Sequence, residues 1–169
     1  MLKAFDACLS VEARAMKILE PLIAHCYDSH VRATGNGKLV KWIQQNMGDV
    51  LARNPPNAAD IVDVKSEETN KHGNFFLESW SNKARGKRGW MFTAHYTKLW
   101  YYFLDTSELF IIDFARLKTW AVERITDFPE REQNKYDQLN DTWGRCVPIG
   151  VIRNEVGFDE EIVVDESKW

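Results

Sequence analysis

The sequence has no apolar run near the ~20 residues a membrane-spanning helix requires, so the reading is a protein with no membrane partner. Its opening residues, MLKAFDACLS, lack the apolar stretch of a secretory signal, and a cytoplasmic protein is expected. Cysteine is scarce. Cys8, Cys26 and Cys146 are odd in number and far apart, which suits reduced thiols better than a disulfide framework or a zinc site. The histidines His25, His30, His72 and His95 show no metal-ligand spacing, and only His72 is of interest, in a turn beside the site developed below. There is no internal repeat, low-complexity tract, phosphate-binding Walker loop, dinucleotide fingerprint or nucleophile elbow. Positive charge is not in excess either. With 22 Lys and Arg against 25 Asp and Glu, the formal charge is −3, which excludes a generic polyanion binder. A nucleic-acid reading then needs a local basic patch and a cation to offset the acids.

What is present is an ordinary balance for one domain spanning residues 1–169, long enough to bury roughly 70% of its unfolded surface. The chain centres on the stretch from Gly48 to Asn82. It parses as three strands, Asp49–Asn54, Asp60–Glu67 and Phe75–Trp80, joined by turns at Pro55–Ala59 and Thr69–Asn74. Period two places Ile61, Asp63, Lys65 and Glu67 on one face of the second strand and Val62 and Val64 on the other. Asp49 opens the neighbouring strand and Glu78 lies within the third. Asp49, Asp63, Glu78 and the amine of Lys65 are therefore expected to converge. Packed carboxylates repel unless a cation holds them, and Mg²⁺ needs only one or two of them plus water and phosphate oxygens. The bland alternative is a solvated charge pair on the wet face of a sheet.

An acid on one strand followed by D-x-K on the next resembles the signature of the PD-(D/E)XK nuclease superfamily, which includes restriction enzymes and Holliday-junction resolvases. Here it reads Gly48-Asp49, then Asp63-Val64-Lys65, with glycine where the family name has proline. GNFFLESWSN, GWMFT and LWYYFLD are also similar to stretches in small phage and bacterial proteins of this type. The resemblance implies an α/β (α+β mixed-sheet) restriction-endonuclease-like fold, an αβββαβ core over about residues 10–125 with a C-terminal extension over 126–169. It implies a Mg²⁺- or Mn²⁺-dependent nuclease acting on DNA, or on RNA. Asp49, Asp63, Glu78 and the Val64 backbone carbonyl would be metal ligands, with Lys65 as catalytic partner. A homodimer is compatible with it. An acid from the first helix, Glu12 or Glu20, would be a further candidate. Alternatives of a different class are a silent nucleic-acid- or protein-binding module of the same fold, and an interaction protein that uses its seven tryptophans as an interface.

Around this stretch, Ser10 is the expected cap of a helix from Val11, which Pro21 should kink or divide. A second helix is expected over Leu39–Met47, ending at Gly48. Lys83, Arg85, Lys87 and Arg88 form the densest basic cluster, in a segment whose glycines predict a mobile loop. With Trp80 and Trp90 on its flanks, the cluster suits phosphate contact and base stacking. Leu99–Leu104 and Glu108–Ile112 read as strands. Asp113 is the expected cap of a helix buried through Phe114, Leu117, Ala121 and Val122. Farther on, Cys146–Ile152 reads as a strand, Asp141 and Arg145 as parts of a structural loop, and Asp159–Trp169 as a fraying end.

Overall fold

A computed structural model describes residues 2–34, 37–56, 58–133 and 141–168. The fold is mixed α/β, with a six-stranded mixed sheet and a second, four-stranded sheet. Helix α1 spans Leu2–Cys26, followed by β1 (Ser29–Arg32), α2 (Lys38–Met47), β2 (Val50–Arg53) and β3 (Asp60–Glu67). Next come β4 (Asn74–Asn82), β5 (Lys87–Arg88), α3 (Trp90–Thr93), β6 (Lys98–Phe103), β7 (Glu108–Asp113) and α4 (Phe114–Arg124). The chain continues through β8 (Glu130–Glu132), β9 (Trp143–Pro148), α5 (Ile149–Glu155) and β10 (Glu160–Val163). No described helix is long and apolar enough to cross a membrane.

The large sheet runs β1-β2-β3-β6-β7-β10. The first three strands form an antiparallel meander, and β3 then pairs in parallel with β6, Asp63 opposite Leu99 and Lys65 opposite Tyr101. The parallel pairing obliges the chain to cross over between them, and β4, β5 and α3 lie in that crossover. On one face Val62, Val64, Val50, Trp100 and Tyr102 pack on Ala15, Leu19 and Ile23 of α1. On the other, Leu99, Tyr101, Phe103 and Phe110 meet Phe75 and Leu77 of β4 and Leu117 of α4. Each large side chain so buried contributes about 1.5–3 kcal/mol relative to exposure.

Several expectations are corrected. The third strand of the central stretch does not extend the β2–β3 hairpin. β4 instead joins the second sheet, ordered β5-β4-β9-β8. The meander's third member is β1, whose short, half-polar sequence SHVR carries little strand signal. Helix α1 begins before Ser10 and runs unbroken through Pro21. Proline removes one backbone donor there, but buried Leu19, Leu22 and Ile23 on either side of it hold the helix to the sheet. Val122 is 70% exposed and lies off the buried face of α4, whereas Asp113 caps that helix as expected, accepting from the Arg116 N–H at 3.0 Å. The expected strand over 146–152 is β9 up to Pro148 and helix thereafter, with Ile149 and Ile152 buried on one helical face. The end of the chain is anchored, because β10 pairs with β7. The basic segment is a β4–β5 hairpin rather than an unpaired loop.

Candidate active site

Asp49 is fixed at the mouth of β2 by backbone geometry. Gly48 adopts φ +94°, and a Cβ there would sit 2.8 Å from the Val62 carbonyl oxygen. Proline, locked near φ −65°, cannot occupy this position, which accounts for glycine ahead of the acid. The Asp49 N–H donates to Val62 O at 2.9 Å, and its carbonyl accepts from Ala33 N–H at 2.8 Å. Its carboxylate Oδ2 accepts from the Val64 N–H at 2.9 Å. Val64 thus meets Asp49 through its amide, a contact the sequence did not suggest.

Asp63 and Lys65 share the β3 face opposite Val62 and Val64, as period two requires. Asp63 is 2% exposed, and its Oδ2 lies 2.5 Å from Lys65 Nζ. Beyond that ion-pair contact, Oδ2 has no hydrogen-bond partner among the described residues. Burial pushes the Asp63 carboxyl up to about 7, and Asp49 adds to the rise while Lys65 opposes it. Burial alone would lower Lys65, but Asp63 and Asp49 hold its ammonium above the ordinary lysine range. The lysine side chain is a third exposed and reaches the cleft, 5.6 Å above the Trp90 ring. The pair is therefore not a solvated surface bridge. Its acid is buried and its cation faces open space.

Glu78 arrives from the other sheet. A register shift in the β4–β9 ladder follows it, the kind of bulge that re-aims a side chain. Its Oε1 accepts from the Trp90 N–H at 3.1 Å, and burial raises its pKa. Gly89 permits this approach, since a Cβ there would lie 2.4 Å from the Glu78 carbonyl oxygen. Asp49, Asp63, Lys65 and Glu78 all line one cleft of about 1210 Å³. Glu12 of α1 lines it too, its carboxyl raised by burial and by Asp49. Glu20 does not line it and pairs with Arg32 at 3.3 Å. His72 is exposed and is not part of the lining.

The basic hairpin divides. Lys87 and Arg88 line the cleft, with the Arg88 guanidinium 4.6 Å from the Trp80 ring and 4.1 Å from that of Phe92. Trp90 lines it as well. Lys83 and Arg85 do not, and the Lys83 ammonium pairs with Glu130. Asp141 braces the hairpin by accepting from the Ala84 N–H at 2.6 Å, and Arg145 donates to Phe128 O at 2.7 Å. Both are structural. Lining residues that were not singled out from the sequence include Arg131, Tyr96 and Glu67, the last accepting from the Tyr101 hydroxyl. Glu67 was recoverable from period two on β3. Arg131 comes from β8 and carried no local signal. Of the described tryptophan side chains, Trp100 and Trp120 are buried and Trp80, Trp90 and Trp143 half-buried. Trp42 and Trp169 fall outside the described side chains.

Among the described residues no three His, Cys, Asp or Glu side chains form a ready metal-binding group. Glu78 is thus not grouped with Asp49 and Asp63 as a ligand, and one of its oxygens is engaged by Trp90. Two carboxylates, one of them buried with an oxygen satisfied only by a lysine, still fit a single hard divalent ion that takes its other ligands from water and phosphate. No family model, curated protein or solved structure matches the chain. Its own geometry carries the reading.

Proposed function

We propose that the cleft binds nucleic acid, DNA foremost, and hydrolyses a phosphodiester with one divalent ion. The observation that carries this is the Asp63–Lys65 pair, a buried carboxyl beside Asp49 with its lysine turned to a cleft that Lys87 and Arg88 also line. Strained ionisation of this kind concentrates at functional sites. The element order adds support. Helix α1, the β1-β2-β3 meander and the crossover to parallel β6 resemble the αβββαβ order of the PD-(D/E)XK nucleases, with α2 set between β1 and β2 and with β4 and β5 added in the crossover; Asp49 stands at the head of β2 and D-x-K on β3.

Asp49 and Asp63 would hold Mg²⁺ or Mn²⁺, with the Val64 carbonyl as a further oxygen. When bound, the ion polarises the scissile phosphate and acidifies a bound water. Lys65 has no acceptor and does not ligate while protonated. Its ammonium stabilises charge on the phosphate and orients the attacking water. Glu78, held by Trp90, accepts a proton or hydrogen bond at the edge of the site. Lys87 and Arg88 hold the phosphate backbone, and Trp90 offers a face for stacking.

The test is Mg²⁺-dependent cleavage of single- and double-stranded DNA, with calorimetry of ion binding. Lys65→Ala should lower the rate ~100-fold or more while retaining Mg²⁺ binding. Full activity in this variant refutes the mechanism. The engagement of Glu78 Oε1 by the Trp90 N–H, which draws one acid away from an ion, favours one second reading, a silent binding module. DNA binding without cleavage of any DNA or RNA would select it.

A further inference from the structure

Among the residues that line the cleft, Tyr96 has a buried hydroxyl with no hydrogen-bond partner among the described residues, and Asp63 Oδ2 has only its ion-pair contact with Lys65 Nζ. Other such atoms, including Trp100 Nε1 and Ser79 Oγ, belong to residues that do not line it. Tyr96 is 5% exposed. Its ring lies 4.0 Å from that of Phe114 and 6.5 Å from that of Trp90, measured between centroids. A phenylalanine would satisfy that packing without burying a hydroxyl. The contrast with Tyr101 is direct, because the Tyr101 hydroxyl accepts from the Phe76 N–H and donates to Glu67.

The backbone beside Tyr96 is pinned. Ala94 N–H donates to Trp90 O, and the Ala94 carbonyl accepts from Lys118 Nζ. On the other side Thr97 N–H donates to Ile61 O at 2.8 Å, and the Thr97 carbonyl accepts from Phe114 N–H at 2.9 Å. The phenol is therefore held in place before any ligand arrives, which reduces the ordering cost of binding. Asp63, Asp49 and Glu78 all bear electrostatically on this hydroxyl. An anionic oxygen enters such surroundings only together with a cation.

We propose that the Tyr96 hydroxyl is a substrate-binding donor, reserved for a phosphoryl oxygen that enters the cleft with a divalent ion. The inference rests on the phosphodiester reading above and deepens it by naming the group that recognises the phosphoryl oxygen. Its test does not depend on cleavage. Inorganic phosphate, with and without MgCl₂, and a short single-stranded DNA are titrated by NMR and calorimetry against the unmodified chain and Tyr96→Phe. Phosphate should bind the unmodified chain only with MgCl₂. Tyr96→Phe should weaken phosphate and DNA about tenfold or more, as expected when a hydrogen bond to a charged group is removed. Mg²⁺ affinity should stay the same, and the melting temperature should not fall, because the hydroxyl has no partner to lose.

Equal phosphate affinity in the two proteins overturns the proposal, as does no phosphate binding at all. The ¹³Cζ resonance of Tyr96 in the unmodified chain reads the same interaction without substitution, and a resonance unmoved by phosphate and MgCl₂ also overturns it. Phosphate binding that depends on Tyr96, in a protein that cleaves nothing, sustains this assignment and removes the nuclease reading instead.

Discussion

Asp63→Asn should stabilise the metal-free chain, and by an amount that depends on pH. The folded carboxyl titrates at about 7 against an ordinary 3.8. Between those values the native state keeps a proton that the unfolded chain gives up. Fewer protons are bound on unfolding, so stability falls as pH rises through this window and levels off above it. The gap from 3.8 to about 7, at ~1.4 kcal/mol per pKa unit, corresponds to ~4 kcal/mol of destabilisation in neutral and basic solution. Water reaches the Lys65 end of the pair, where the side chain is 32% exposed, and the substitution also takes away the partner of that ammonium, so no more than about half of this, ~2 kcal/mol, is expected to be measurable.

Asparagine keeps the shape and removes the charge. Urea and thermal unfolding near pH 8 should show the variant more stable by up to ~2 kcal/mol, roughly 4–8 °C in Tm for a chain of this size. Near pH 4 the two proteins should converge. Mg²⁺ should raise the Tm of the unmodified chain more in basic than in acidic solution and should leave Asp63→Asn unmoved, since the ion needs the ionised carboxylate. A wild-type stability that is flat across this range, or a variant destabilised equally at both ends, refutes the reasoning. Asp63 would then be an ordinary ionised partner of Lys65.

Asp49→Ala should cost ~1–3 kcal/mol in urea denaturation by leaving the Val64 N–H unpaired and buried; Asp49→Asn, which keeps an acceptor, should restore most of that stability but not Mg²⁺ binding. Lys87→Ala and Arg88→Ala should each reduce the slope of log affinity against log salt for DNA by ~1, the change expected when one phosphate is left unneutralised. Lys83→Ala should leave that slope alone, because its ammonium is engaged by Glu130.

Sequence reasoning reaches furthest where chemistry and period coincide locally. Asp63 and Lys65 share a face because side chains alternate along any strand, and Val62 and Val64 on the opposite face prefer an apolar core. Asp49 is legible for the same reason, one residue ahead of β2. The destination of β4 is not. Its partner β9 lies more than sixty residues away, and Phe75–Trp80 alternates in the same way whichever sheet receives it. Spacing alone accordingly puts Glu78 on a neighbouring strand of one sheet, whereas it reaches the cleft from another. The basic cluster is legible as charge but not as geometry. Four cations in a short segment look equivalent until a hairpin turns Lys87 and Arg88 to the cleft and Lys83 to Glu130. Arg131 and Tyr96 carry no signal, one being a lone arginine and the other an aromatic residue among many.

The division of the site between two sheets also sets an order of events during synthesis. The meander that carries Asp49, Asp63 and Lys65 finds packing partners in α1, β6 and β7, all of which precede β9 in the chain. The wall that carries Glu78, Lys87 and Arg88 hangs on the pairing of β4 with β9, which joins segments more than sixty residues apart. A nascent chain thus holds its acids and its lysine before it has a cleft to put them in. The cleft is complete only once β9 (Trp143–Pro148) has paired with β4.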